Sequence, residues 1–188
     1  MDMNVNDPAP EGNIESMRFN PDKEWVGDNK FNSQFFGLIE LCQDLRDWGV
    51  RNAQLLEIGT YKGESSIIFA STWLFDHIVT IDKHNMPEQY YPLNMFYDKM
   101  TYHFIDSKDI REHYEDNTFD VVYIDGDHET IGLMKDMQNA RSLLKTGGYM
   151  CGHDYNPVSW ENTVMTINAF FGREPDKVYS DTSWVYKV

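Results

Sequence analysis

Two short runs carry most of the side chains able to do chemistry, Asp125-Gly126-Asp127-His128 and His153-Asp154-Tyr155. Carboxylates and imidazoles together hold a divalent cation or pass a proton. All-oxygen donors suit Mg²⁺, whereas an imidazole among them shifts the preference toward Mn²⁺, Fe²⁺ or Zn²⁺. The set expected to converge on a metal is Asp125, His153 and Asp154, with Asp127 as the alternative third ligand. The competing structural reading has Asp125 capping its loop and His153 packing on Tyr155. A third run, Glu57-Ile58-Gly59-Thr60-Tyr61-Lys62-Gly63, places two glycines where backbone can approach a ligand closely, ahead of helix N–H groups that can receive an anion. It has neither the G-x-G-x-x-G of a pyrophosphate-binding turn nor a P-loop G-K-[ST], and Tyr61 stands at its middle. That argues against a nicotinamide dinucleotide or a nucleoside triphosphate. Asp82 follows Gly59 by 23 residues, at the expected end of the next strand, where a carboxylate accepts from both ribose hydroxyls. Together these features fit an adenosine bearing an amino-acid tail.

Such residues work together only if several strands end side by side. Phe31, Phe35, Leu38, Cys42 and Leu45 recur at helical spacing, with Asp28 and Asn29 as caps and Gly49 as the stop. Strands are then expected at 54–59, 78–82, 102–106 and 119–125, with helices over 65–74, around 92–100 and over 107–113. Leu133, Met137, Ala140 and Leu144 mark a further helix ended by Gly147 and Gly148, after which Tyr149-Met150-Cys151 opens a fifth strand. Trp160, Val164, Ile167 and Phe171 define a last helix behind Ser159. Short apolar strands alternating with amphipathic helices predict a doubly wound, Rossmann-like α/β fold, mostly parallel and covered on both faces. The segments 177–180 and 183–187 add an antiparallel C-terminal edge. Residues 1–28 read as an arm able to dock through Met17, Phe19 and Trp25, and 29–188 as one domain. In this arrangement ligands bind beyond the carboxyl ends of the strands. Glu57, Asp82, Asp106-Ser107, Asp125 and His153-Asp154 all lie at those ends.

The run from Leu55 to Ser66, LLEIGTYKGESS, resembles motif I of class I S-adenosylmethionine-dependent methyltransferases, in the E-x-G-x-Y-x-G-x-S form of catechol-type O-methyltransferases. Ile105 to Asp109 is similar to the family's adenine-side segment, and Val122 to His128 to the motif after its fourth strand. Leu144 to Tyr149, leading to His153-Asp154-Tyr155, is similar to small sugar and antibiotic O-methyltransferases and to cephalosporin-hydroxylase-like proteins. The resemblance implies that Glu57, Gly59, Tyr61 and Gly63 line the methionine end of S-adenosylmethionine, Asp82 the ribose, and Asp106 with Ser107 the adenine. It places Ser65 and Ser66 at the methionine carboxylate or simply at the helix start. Asp125 and Asp154 match positions holding a divalent metal, Mg or Mn, and His153 falls where relatives usually carry an acid. His128 falls where catechol-type relatives carry their general base. His128 and Asp125 are thus the expected catalytic pair, with His153 competing for the base.

Composition narrows the partners. The chain has 31 acidic residues against 16 Lys and Arg, a formal charge of −15, which repels phosphate backbones. No nucleic acid is expected, no apolar run is long enough to span a membrane, and a small-molecule substrate is the anticipated partner, with a homo-oligomer allowed. Cys42 and Cys151 are far apart without metal-type spacing and read as buried thiols of a cytoplasmic protein. The expected function is methylation of a small-molecule hydroxyl, saccharides included, with metal assistance. The alternatives are a metal-dependent hydrolase or oxygenase on the same scaffold, and a non-catalytic module binding a nucleoside or a partner.

Overall fold

Apolar runs bounded by glycine and acid turns become the strands of one sheet. The computed structural model describes residues 35–84 and 98–188. The elements are α1 (Phe36–Asp47), β1 (Ala53–Ile58), α2 (Glu64–Ser71), β2 (Phe75–Asp82), β3 (Met100–Phe104), a 3₁₀ helix (Ser107–Glu112), β4 (Phe119–Ile124), α3 (Thr130–Leu143), β5 (Leu144–Gly152), α4 (Glu161–Phe171), β6 (Lys177–Val178) and β7 (Trp184–Lys187). The arm, Phe31 with its two caps, and most of the segment after His84 lie outside the described residues. No helix among the described residues is long and apolar enough to cross a membrane.

The sheet order is β3-β2-β1-β4-β5-β7-β6; β1 to β5 run parallel, and β7 is antiparallel to both its neighbours. The doubly wound expectation with an antiparallel C-terminal edge therefore holds. Register then aligns the site. Ile58 pairs with Ile81 and Ile124, and Ile124 with Gly152, so Gly59, Asp82, Asp125 and His153, each one residue on, share a single rim. Alternation splits the core between two faces. Leu55, Val121, Tyr123 and Cys151 pack on the α1 and α2 side, while Leu56, Ile58, Val122, Ile124 and Met150 pack against α3 and α4. Glu57 has the parity of Leu55 and therefore faces α2.

Three boundaries differ from the sequence expectation for identifiable reasons. Helix α3 stops at Leu143, because Leu144 pairs with Phe119 as the first residue of β5, and Gly147-Gly148 lie inside that strand. Gly147, at φ 82°, donates its N–H to the terminal Val188 carbonyl, so it serves a strand irregularity and not a helix stop. Met100, expected at the end of a helix, begins β3 opposite Ile78, and β3 ends at Phe104 beside Asp82. The described part of α1 is capped through tertiary structure: Asp181, from the turn before β7, accepts the Leu38 N–H at 2.6 Å. A Cβ on Gly37 would stand 2.0 Å from that carboxylate, so glycine is required there.

Candidate active site

The β1 side of the rim is organised around one buried carboxylate. Glu57 is fully buried and accepts hydrogen bonds from three hydroxyls: Ser65 at 2.5 Å, Ser66, and Thr80 of β2 at 2.6 Å. Thr60 extends the network to Thr80 at 2.6 Å. Burial pushes the Glu57 pKa up to about 7, against the opposing pull of the hydroxyls. The sequence pointed to Glu57, Ser65 and Ser66 but not to their mutual pairing. Thr80 and Thr60 were missed, although a polar residue on an otherwise buried strand was a signal.

Gly59, Tyr61 and Gly63 shape the connecting loop. Gly59, at φ 101°, lies so close to Asp125 that a Cβ would meet that residue's carbonyl oxygen at 2.1 Å, which ties the loop after β1 to the loop after β4. Tyr61 is 71% exposed, and Gly63 begins α2 with no side chain capping the helix. Asp82 accepts the N–H of Tyr61 at 2.8 Å with one oxygen and that of His84 at 2.7 Å with the other. Each carboxylate oxygen keeps a lone pair for another donor.

Further along the rim, Asp106 caps the 3₁₀ helix by accepting the Lys108 N–H at 3.1 Å, the main cause of its lowered pKa. Ser107 donates instead to Asp136 at 2.5 Å. Asp136 sits on α3, 2% exposed, and also accepts the backbone N–H of Asp127, while Asn139 donates to the Ser107 carbonyl at 3.2 Å. One buried carboxylate thus holds the loops after β3 and β4 together, and its burial raises its pKa. An acid three residues after Leu133 and one before Met137 falls on the inward face of α3, the signal that sequence reading passed over.

At the ends of β4 and β5 the charges are open. Asp125, His128 and Asp154 bring one ligand atom each within 4.8 Å of one another. His128 Nε2 lies 2.6 Å from Asp154 Oδ2 and 3.7 Å from Asp125 Oδ1, yet it has no aligned hydrogen bond, because the short approach is off the N–H direction. Asp125 first and Asp154 second raise the His128 pKa to about 10, so the ring is an imidazolium at neutral pH. The unperturbed value of ~6.5, which would leave it ready to take a proton, does not apply with both carboxylates facing the ring. Asp154 moves the opposite way: burial raises its pKa, but the facing imidazoles of His128 and His153 outweigh that and leave it well below the usual carboxylate range.

His153 is adjacent but outside the trio. Its Nδ1 lies 3.1 Å from Asp154 Oδ1, and although burial depresses its pKa, the hydrogen bond to Asp154 leaves it raised. Asp127 turns away, accepting the Glu129 N–H at 2.9 Å and facing Lys83 at 3.8 Å. The structure therefore joins His128 to Asp125 and Asp154, where the sequence reading had grouped His153 or Asp127 with them.

Comparison with known proteins bears on what this rim does. A family model described as a methyltransferase domain matches residues 56–155, more than half of the 188 residues and every strand-end residue from Glu57 to Asp154. The chain belongs to this methyltransferase family. Its sheet has the class I methyltransferase fold that the motif resemblance implied. Solved structures share the fold of this chain at low identity. CalS11, a TDP-rhamnose 3'-O-methyltransferase of calicheamicin biosynthesis, is 12% identical over 79% of this chain and 77% of its own, with a TM-score of 0.58. A candidate caffeoyl-CoA O-methyltransferase from Staphylococcus aureus is 21% identical over 72% of this chain and 71% of its own, with a TM-score of 0.54. MycE, a methyltransferase of the mycinamycin pathway in complex with Mg and SAH, is 18% identical over 79% of this chain, with a TM-score of 0.54. The chain spans 48% of the MycE chain in one crystal form and 33% in another. No curated protein sequence matches it.

Proposed function

We propose that this methyltransferase transfers the methyl group of S-adenosylmethionine to a hydroxyl of a small molecule, with a divalent cation held by Asp125, His128 and Asp154. The observation that carries the reading is the convergence of those three donors at the ends of β4 and β5. Two carboxylates and an imidazole fit Mg²⁺ or Mn²⁺, with Mn²⁺ favoured by the nitrogen. MycE was solved with Mg and SAH, and CalS11 is an O-methyltransferase. In this reading His128 takes the third ligand position expected of His153, which becomes an outer partner of Asp154.

On the cofactor side, Asp82 keeps acceptor capacity for ribose hydroxyls, and Asp106 lies at the rim beside it for the adenine. Gly59, Tyr61 and Gly63 shape the methionine end, where Ser65 contributes through backbone because its hydroxyl is taken by Glu57. Bound S-adenosylmethionine supplies an electrophilic methyl on a sulfonium, and a bound cation lowers the pKa of the acceptor hydroxyl. The protein's own part is alignment and proton management. His128, whose Nε2 faces Asp125 and Asp154, would hold the cation as a neutral imidazole; were the two carboxylates to hold it alone, the same nitrogen would be the one placed to receive the hydroxyl proton. Asp125 orients that imidazole, and His153 is the alternative base.

Calorimetric titration of S-adenosylmethionine and S-adenosylhomocysteine, with NAD as control, before and after chelation and with Mg²⁺ or Mn²⁺ restored, tests both halves. Binding of the sulfonium pair without NAD, and metal uptake accompanied by proton release, is the expected result. No binding of either adenosyl compound overturns the methyltransferase reading, and no metal heat removes the cation from it.

A further inference from the structure

Two indoles approach the histidine pair, and they differ in one respect. Trp184 is fully buried and donates its N–H to the His153 carbonyl at 2.9 Å. Trp160 stacks on His128, with centroids 5.0 Å apart and planes at 28°, and remains 42% exposed. It stands at the N-cap of α4, where polar side chains are normally preferred, and makes no capping hydrogen bond. The turn that presents it is firmly built. Asn156 Oδ1 accepts the N–H groups of Val158 at 2.9 Å and Ser159 at 3.2 Å, and the Asn156 carbonyl accepts that of Trp160 at 2.7 Å. Val158, two residues earlier in the same turn, is 92% exposed. An ordered turn thus holds apolar surface open beside the charged trio.

Charge limits what can rest there. The chain has no Lys or Arg between Arg111 and Lys135, nor between Lys145 and Arg173, the stretches that form the loops after β4 and β5. Those loops bring Asp125, Asp127 and Asp154 to the rim, and Lys83, which reaches them, is paired with Asp127. A divalent ion between Asp125 and Asp154 would be neutralised by them and leave no positive excess for a phosphate. We propose that Trp160 is an acceptor-recognition residue, and that the acceptor is a hydroxyl-bearing, phosphate-free ring packing its apolar face on the exposed indole. The proposal rests on the methyltransferase reading of the neighbouring trio.

The test uses the full chain with saturating S-adenosylhomocysteine and Mg²⁺, and reads binding by ligand-observed NMR and calorimetry. The probes are catechol for a phenolic ring, methyl α-L-rhamnopyranoside for a saccharide, and phenyl phosphate for a charged ring. At least one neutral ring binds the wild type, and more tightly than phenyl phosphate. Trp160→Ala weakens that ring by about 3- to 10-fold, and Trp160→Phe keeps it within about twofold, the scale of an aromatic contact. S-adenosylhomocysteine affinity stays unchanged in both variants. Trp160→Leu, apolar but without a ring, replaces the alanine variant if thermal unfolding shows the latter does not fold. Unchanged ring binding in Trp160→Ala, phenyl phosphate binding at least as tightly, or neither neutral ring binding while S-adenosylhomocysteine does, each overturns the proposal. Absence of S-adenosylhomocysteine binding to the wild type fails the underlying reading as well, and its own titration shows which has failed.

Discussion

The β1–β2 half of the rim and the β4–β5 half treat their carboxylates in opposite ways. Glu57 is buried among three hydroxyls with no cation, so desolvation dominates and its pKa rises to about 7. Asp154 faces two imidazoles, so pairing dominates despite burial and its pKa falls. One half satisfies itself internally and behaves as scaffold. The other leaves donors that satisfy one another poorly, as the unaligned Nε2 of His128 shows, and such a site is ready to take a ligand.

Removing the centre of the scaffold half is expected to have the largest effect on folding. Glu57→Ala strips the shared acceptor from three hydroxyls and opens a cavity, and should cost about 3–5 kcal/mol in urea unfolding. Glu57→Gln keeps the shape and isolates the charge. Because the folded pKa lies above the unfolded value of 4.5, neutral Glu57 favours folding below pH 4.5, and that contribution is lost as pH rises through 7. Glu57→Gln should therefore gain on the wild type between pH 5 and 8, by on the order of 2–3 kcal/mol. A gap that stays constant over that window would show that Glu57 is ionised throughout.

In the charged half the loss should fall on binding and not on folding. Asp154→Asn is expected to reduce Mn²⁺ affinity beyond the roughly 10–100-fold typical of outer partners, with the S-adenosylhomocysteine titration nearly unchanged. Equal losses for both ligands would erase the contrast between the halves. Asp136→Ala probes the joint between the loops after β3 and β4. It leaves the Ser107 hydroxyl and the Asp127 N–H without their acceptor, and should cost about 2 kcal/mol in stability with a several-fold loss of S-adenosylhomocysteine affinity. Lys83→Ala is the small control, since its 3.8 Å pairing with Asp127 is exposed, and unfolding should change by less than about 0.5 kcal/mol.

Helical spacing and apolar runs were enough to place the strands and their acidic ends, because burial of one face imposes a period on the residues themselves. They misplaced the α3–β5 junction, where Gly147 and Gly148 resemble a helix stop but the pairing of Leu144 with Phe119 prevails. They marked Trp160 only as a residue of the last helix, and its exposure, against the full burial of Trp184, came from the tertiary structure.

From its residues alone this chain determined a doubly wound sheet, an acidic rim and a glycine-bounded loop after the first strand, since these follow from local periodicity and turn chemistry. The tertiary structure decided which histidine joins Asp125 and Asp154, that Ser65 and Ser66 serve Glu57, and that Asp136 couples two loops. Those outcomes depend on strand register and on side-chain directions across segments far apart in sequence, which no local pattern encodes.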